Sequence, residues 1–194
     1  MPELLLASAS SRRKELLELI DVEFSSQAMD IDESVHPEEL PAAYVERLAR
    51  EKAQAGLLAQ PEKIVLAADT TVVLEGQILG KPESEVQARS MLQQLSGSRH
   101  QVLTGIALAS QMAGRLKIES QVVSTEVLFA TLSEQQIEAY IHTGEPMDKA
   151  GAYGIQGKAA LFVERIEGSY SNVVGLPLAE TGKLLERFGF SLWP

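Results

Sequence analysis

A lone carboxylate, Asp69, follows five consecutive apolar residues, Ile64 to Ala68, and precedes Thr70, Thr71 and the apolar Val72 to Leu74. A carboxylate in such a strand is costly unless it is paired, hydrogen-bonded or bound to a metal. The bland alternative is an acid at a strand end that accepts bonds from the following turn; isolated buried acids tend to mark sites, which favours function. Ser8-Ala9-Ser10-Ser11-Arg12-Arg13 sets two arginines in the first turn of a helix, where the macrodipole disfavours cations. An anion there reverses that sign: backbone N–H groups, serine hydroxyls and two guanidinium forks together make a phosphate site, against which stands a solvated arginine pair on a surface helix.

Lys52 shares one helix face with Val45, Ala49 and Gly56, so it lies on or near an apolar stripe. It either snorkels its ammonium to water or meets a buried anion. Gly80-Lys81-Pro82 follows a short strand, Gln77 to Leu79, and could bring Lys81 beside Asp69. Asp30, Asp32 and Glu33 form an acidic patch, with Glu33 a candidate ligand of a metal or a water and a solvated acidic loop as the alternative. In the stretch from Asp148 to Gly157, three glycines permit close backbone approach to a ligand, while Lys149 and Gln156 supply polar contacts; a tight turn into the next strand is the other reading. His36, His100 and His142 are scattered without metal-site spacing and read as ordinary surface or core histidines.

The elements that position these groups alternate in type. Leu4 to Ala7 reads as a short buried strand, followed by a helix from Ser10 or Ser11 to about Ile20. A second helix runs from Pro41 to Leu58, and Ile64 to Leu74 is an apolar strand interrupted by Asp69, Thr70 and Thr71. Ser84 caps a third helix with a stripe of Ala88, Met91, Leu92 and Leu95. Gln101 to Ala109 and Val122 to Ala130 are adjacent strands, with a turn at Ala113-Gly114. Ser133 and Gln136 form a capping box for a helix through His142, stopped by Gly144 and Pro146. A strand from Ala160 to Ile166 and a helix from Pro177 to Gly189, its core face Leu178, Thr181, Leu185 and Phe188, complete the chain. Interleaved helices and strands give an α/β class with a mixed sheet.

Composition narrows the chemistry. The chain has 194 residues, 45% of them hydrophobic and 23% charged, which suits one domain able to bury its own core. It has no cysteine, so neither a disulfide framework nor a thiolate nucleophile is available and a metal must take oxygen or histidine ligands. A net charge of −10 works against sequence-independent binding to nucleic-acid polymers. The apolar run from Leu4 to Ala7 is too short for a signal segment or a membrane span, so a cytoplasmic location is expected. Neither G-x-x-x-x-G-K-[ST] nor G-x-S-x-G occurs, which removes the phosphate loop of kinases and the serine-hydrolase elbow.

In their order along the chain, Ser8 to Arg13, Glu33, Lys52, Ala68-Asp69-Thr70, Gly80-Lys81-Pro82, Lys149 to Gly157 and Val174-Gly175-Leu176-Pro177 closely resemble the Maf-like nucleotide pyrophosphatase family. The resemblance covers essentially residues 1–194 as a single domain. It implies a two-lobed α/β fold with an elongated mixed sheet flanked by helices and a cleft between the lobes. It also implies hydrolysis of a nucleoside triphosphate between the α and β phosphates with a divalent cation, magnesium or manganese. By the same resemblance, Asp69, Glu33 and Lys81 are catalytic, Asp69 and Glu33 serve the metal, and Ser8, Arg12, Arg13, Lys52, Thr70 and Gln156 bind substrate. Asp69 could position the attacking water or accept its proton, and the sequence leaves both roles open. Arg12, Thr70 and Gln156 match the subgroup acting on thymidine and uridine triphosphates, and Ser11 replaces the proline usual before the arginine pair. The competing readings are a house-cleaning hydrolase of noncanonical purine triphosphates and a non-catalytic nucleotide-binding regulator of cell division. A homodimer is expected only by analogy.

Overall fold

The protein is described here as a computed structural model covering residues 3–112 and 115–193. The turn expected at Ala113-Gly114 lies outside the described residues. Strand β1 (Leu4–Leu6) leads into helix α1 (Ser11–Glu18), strand β2 (Phe24–Ser26), helix α2 (Pro41–Ala59), strands β3 (Ile64–Leu74) and β4 (Gln77–Leu79), and helix α3 (Glu85–Leu95). Strands β5 (Arg99–Met112) and β6 (Arg115–Phe129) follow, then helix α4 (Glu134–Ile141), strand β7 (Val163–Glu167) and helices α5 (Tyr170–Val174) and α6 (Leu178–Arg187). The sheet has the order β2-β1-β3-β5-β6-β7, with β4 paired to β3. It is mixed: β1 runs parallel to β2 and β3, whereas β4 and β7 pair antiparallel with β3 and β6.

The chain forms two compact units. The first comprises residues 1–69, 104–123 and 175–194, the second 70–103 and 124–174. In the first unit, β1 lies between two parallel neighbours and its three leucines are all buried, as a strand covered on both faces requires. Helix α2 begins with Pro41 at a position where the missing N–H is no loss, and it buries Val45, Leu48, Ala49, Lys52, Ala53, Gly56 and Leu57 along one face. This stripe packs with Leu5, Ala7, Val65, Ala67, Ala107 and Ala109 into a core of mostly small residues. The approach is close. A Cβ added to Gly105 on β5 would fall onto the Val45 carbonyl of α2, and one at Gly56 would come within 2.7 Å of Val65 Cγ1. Small residues thus bring the helix near enough to the sheet for a lysine on its buried face to reach a strand carboxylate.

The second unit is built around a larger, aromatic core in which Leu92 and Leu95 of α3 and Ile137 and Tyr140 of α4 pack with Phe129, Tyr153 and Phe162. Ser84 and Ser133 cap α3 and α4 as their sequences require, and the Ser133–Gln136 capping box is fully formed. Several elements differ from the sequence expectation. Strand β3 runs unbroken through Asp69, Thr70 and Thr71, so Asp69 is a mid-strand carboxylate and not an acid at a strand end. Lys158–Phe162 forms a 3₁₀ helix where a strand was expected to begin, because Ala159 and Phe162, three residues apart, are the buried pair while Leu161 is exposed. The expected strands at 101–109 and 122–130 are both longer, β5 starting at Arg99 and β6 at Arg115. Short β2 and α5 have no counterpart in the sequence reading.

Candidate active site

The first unit assembles an ionic cluster from three segments. Lys52, on the buried face of α2, places its Nζ 2.7 Å from Asp69 Oδ1 and 2.6 Å from Glu33 Oε1. Lys52 and Asp69 are each 9% exposed, whereas the Glu33 side chain is about half-exposed. Of the two fates open to Lys52 from its sequence position, the ammonium meets buried anion and does not snorkel. Two carboxylates of the protein itself hold it. Tyr44, two turns before Lys52 on α2, donates its hydroxyl to the Glu33 carbonyl at 3.0 Å and so ties the acidic loop down. Burial, with Asp69 and Glu33 close by, pushes the Tyr44 hydroxyl up to about 12, so it stays protonated as a donor at neutral pH. Tyr44 went unnoticed in the sequence, although its spacing of eight residues from Lys52 set it on the same side of the helix.

The helix start beside this cluster behaves as its residues require. Ser10 is the N-cap of α1, its Oγ accepting the Arg13 N–H at 3.4 Å, and Ser8 Oγ accepts the Ser10 N–H at 3.2 Å. Arg13 folds back, donating from its side chain to Ser8 Oγ at 3.2 Å and, through Nε, to the Gly175 carbonyl at 2.8 Å. This bond gives the Val174 to Pro177 stretch a physical task. Burial lowers the basicity of the Arg13 guanidinium, Asp69 raises it, neighbouring Arg12 lowers it and Glu33 raises it again. Arg12 is half-buried in the same first turn. Ser8, Arg13, Glu33, Lys52 and Asp69 are therefore brought together, a cationic helix start beside two carboxylates.

The second unit carries Thr70, Lys81 and Gln156. Thr70 is half-buried on β3, and Lys81 is exposed in the loop after β4, where it makes no ion pair among the described residues. Gln156 is exposed in the turn before the 3₁₀ helix, and its amide has no protein hydrogen bond among the described residues. The Gly151 N–H donates to the Gly80 carbonyl at 3.0 Å, which fastens the segment holding Gln156 to the loop holding Lys81. Lys149, expected to contact a ligand, instead turns inward: its Nζ donates to the Glu145 carbonyl at 2.7 Å and to Asp148 Oδ1 at 2.6 Å. His100 is a core histidine, 2% exposed, and its Nε2 is 2.7 Å from the Tyr153 hydroxyl. His36 and His142 are exposed.

Asp69 and Glu33 have the oxygen-donor chemistry that suits a hard divalent cation. Among the described residues no three acidic or histidine side chains gather as a metal-ligating group. A cation here would take two carboxylates and complete its shell from phosphate oxygens and water, the usual arrangement for magnesium with nucleotides.

Comparison with known proteins places this geometry in context. The model of the Maf-like protein family matches residues 3–188. About half of the aligned residues are shared with curated relatives: a dTTP/UTP pyrophosphatase of Chromobacterium violaceum is 52% identical over 192 residues, covering 96% of this chain and 95% of the relative. One of Pectobacterium atrosepticum is 54% identical, covering 97% and 94%, and one of a Geobacillus species is 51% identical, covering 98% and 100%. Among solved structures, the Staphylococcus aureus Ham1 protein aligns with a TM-score of 0.53 and 17% identity over 96% of this chain and 99% of its own, a likeness of fold alone.

Proposed function

Because this chain belongs to the Maf-like protein family, we propose that it is a nucleoside triphosphate pyrophosphatase that hydrolyses dTTP and UTP to the monophosphate and pyrophosphate. The observation that carries the reading is the buried Lys52 ammonium shared by Asp69 and Glu33. The relatives named for this activity match over nearly their whole length, and the residues that resemble the family's motifs include all three members of that cluster. No helix among the described residues is long and apolar enough to cross a membrane. The proposed partner is a free nucleotide in the cytoplasm, not a polymer or a lipid surface.

In the proposed reaction water attacks the α-phosphorus, a new P–O bond forms, and the bond to the bridging oxygen of the β-phosphate breaks, so that pyrophosphate leaves with the electron pair. Lys52 holds Asp69 by Oδ1, which leaves the second carboxylate oxygen to place the water and take up its proton. An ammonium has three donors, and the two carboxylates use two of them. The third is left for a phosphate oxygen. Arg12, Arg13 and the Ser8 hydroxyl bind phosphate at the start of α1, and Lys81, which makes no ion pair among the described residues, stabilises charge that grows on the oxygens as the bond breaks. A divalent cation, magnesium or manganese, held by Asp69 and Glu33 would neutralise further phosphate charge. The roles of Thr70 and Gln156 in reading the nucleoside rest on the sequence resemblance, and the exposed Gln156 amide, without a hydrogen-bond partner among the described residues, is in keeping with them.

Incubation of the purified protein with each natural and modified triphosphate and Mg²⁺ or Mn²⁺, with monophosphate and pyrophosphate measured separately, tests the reading. Equimolar UMP and pyrophosphate are expected from UTP. Release of inorganic phosphate with UDP would replace the pyrophosphatase with a phosphatase. Faster turnover of inosine triphosphate would move the chain to purine house-cleaning, and no product from any triphosphate would leave a nucleotide-binding regulator.

A further inference from the structure

Gln156 sits in a turn whose two sides converge on one residue that no sequence motif singled out. Glu145 opens a 3₁₀ turn, Glu145–Asp148, after the left-handed Gly144. Its main-chain carbonyl accepts the Lys149 ammonium at 2.7 Å, on the N-terminal side of the segment. Its carboxylate reaches the other side: Oε2 accepts the Lys158 N–H at 3.0 Å, two residues beyond Gln156. The Glu145 N–H is itself held by Thr143 Oγ1 at 3.1 Å, so the residue is fixed at three points. Gly157 makes this approach possible. A Cβ there would collide with Glu145 Oε2, so any other residue beside Gln156 would push the carboxylate off the Lys158 N–H.

The carboxylate also meets the Tyr140 hydroxyl, a polar contact at a residue of the core cluster, and hydrophobic contact does not account for the rest of the arrangement. Glu145 is half-exposed, the Lys158 N–H lies at the surface, and the hydrophobic cluster of the second unit is formed without either side chain. A carboxylate that accepts a main-chain N–H at the start of a short 3₁₀ helix fixes where that helix begins, and the residue just before the glycine is Gln156. The Lys149 ammonium closes the other side of the same segment, and its aliphatic stem packs where a Cβ on Gly154 would meet Lys149 Cδ and Cε at 2.6 Å.

We propose that Glu145 is a positioning residue for base selection, its carboxylate holding the Gly157-Lys158 main chain so that the Gln156 amide meets the nucleobase in one orientation. The inference rests on the reading of Gln156 as the base-contacting residue. Glu145 has no part in the proposed phosphate contacts, so its loss acts on the choice between bases more than on the bond that is broken.

The test compares kcat/KM for UTP and for inosine triphosphate in the wild type, Glu145→Ala, Glu145→Gln, Gly157→Ala and Gln156→Glu, with pyrophosphate as the readout. A ratio between two substrates in one preparation does not change with the fraction of protein folded, so a merely structural role leaves it unmoved. Misplacement of a contact by about 1 Å commonly costs on the order of 100-fold, and a fall in the UTP preference of about tenfold or more is expected for Glu145→Ala and Gly157→Ala. Glu145→Gln keeps an oxygen acceptor for the Lys158 N–H and should retain most of the preference. A wild-type ratio in Glu145→Ala, or a ratio in Glu145→Gln as low as in the alanine variant, overturns the proposal. If Gln156→Glu also leaves the ratio unchanged, the base-reading role of Gln156 falls with it; if that variant alone shifts the ratio, only the role of Glu145 is lost.

Discussion

Lys52 and Asp69, seventeen positions apart in sequence, meet through a 2.7 Å contact in which both side chains are almost wholly withdrawn from water. Removing one member of such a pair leaves a buried charge without compensation, which typically costs about 3–5 kcal/mol. Lys52→Met should therefore weaken folding as well as nucleotide use. Adding Asp69→Asn to Lys52→Met removes the stranded charge, and denaturant midpoints should show the double variant to be the more stable of the two. An unchanged midpoint in Lys52→Met would mean that the pair opens readily to solvent.

Asp69→Asn alone leaves Lys52 paired with Glu33, so its melt should stay close to wild type. Turnover should not. Loss of a general acid or base commonly lowers the rate by about 10² to 10⁴, and the fall should appear in kcat measured as pyrophosphate release. A variant that kept half the wild-type kcat would remove Asp69 from the reaction.

Arg13→Lys keeps the charge but cannot hold both Ser8 Oγ and the Gly175 carbonyl with a planar fork. The nucleotide-induced rise in melting temperature, which scales with RT ln(1 + [L]/Kd), should shrink for this variant and nearly vanish for Arg13→Met. Shifts of wild-type size in both would make Arg13 a brace for the Gly175 turn and nothing more.

On the proposed role of Gln156, its amide sets substrate choice. A site that hydrogen-bonds a polar group strongly rejects analogues that leave its own atoms unpaired. dTTP and UTP should be the best natural substrates and 7-methylguanosine triphosphate a poor one, and Gln156→Glu should lower kcat/KM for UTP by removing a donor. Competition assays with mixed triphosphates measure this directly; preference for the methylated purine would move the chain to another subgroup.

Acid should destabilise the second unit through His100. Burial pulls its imidazole from the ordinary 6.5 down to about 4. The unfolded chain thus binds the extra proton first. Stability from the neutral ring is complete above about pH 6.5 and is lost as pH falls toward 4, by roughly 3 kcal/mol at 1.36 kcal/mol per pH unit. Melts of the wild type between pH 7 and 4.5 should show the loss, and His100→Leu with Tyr153→Phe should flatten that slope, since replacing both hydrogen-bonding partners with apolar groups leaves neither stranded.

What the sequence made legible follows from how local each signal is. Helices α2, α3 and α4 were visible because a cap or Pro41 and an apolar stripe lie within one segment, and each buries the face so marked. Strand β2 has only Phe24 as an apolar residue and owes its place to pairing with Leu4–Leu6, a contact no window of sequence contains. Lys158–Phe162 is rich in apolar residues and so resembles a strand, but only Ala159 and Phe162 find the core. For the candidate site, the burial of Asp69 and Lys52 was readable from the apolar residues around each. That they pair with one another, and with Glu33, depends on the small residues that let α2 lie against the sheet.

The bond from the Gly151 N–H to the Gly80 carbonyl joins two segments seventy-one positions apart through main-chain atoms alone. Side-chain drift cannot dissolve such a link, but a change in loop length can. Insertions or deletions on the stretch leading from α4 to Gly151 should therefore be tolerated only when matched by a compensating change next to Gly80, and the lengths of these two connections should vary together across the lineage while the amino acids within them vary independently.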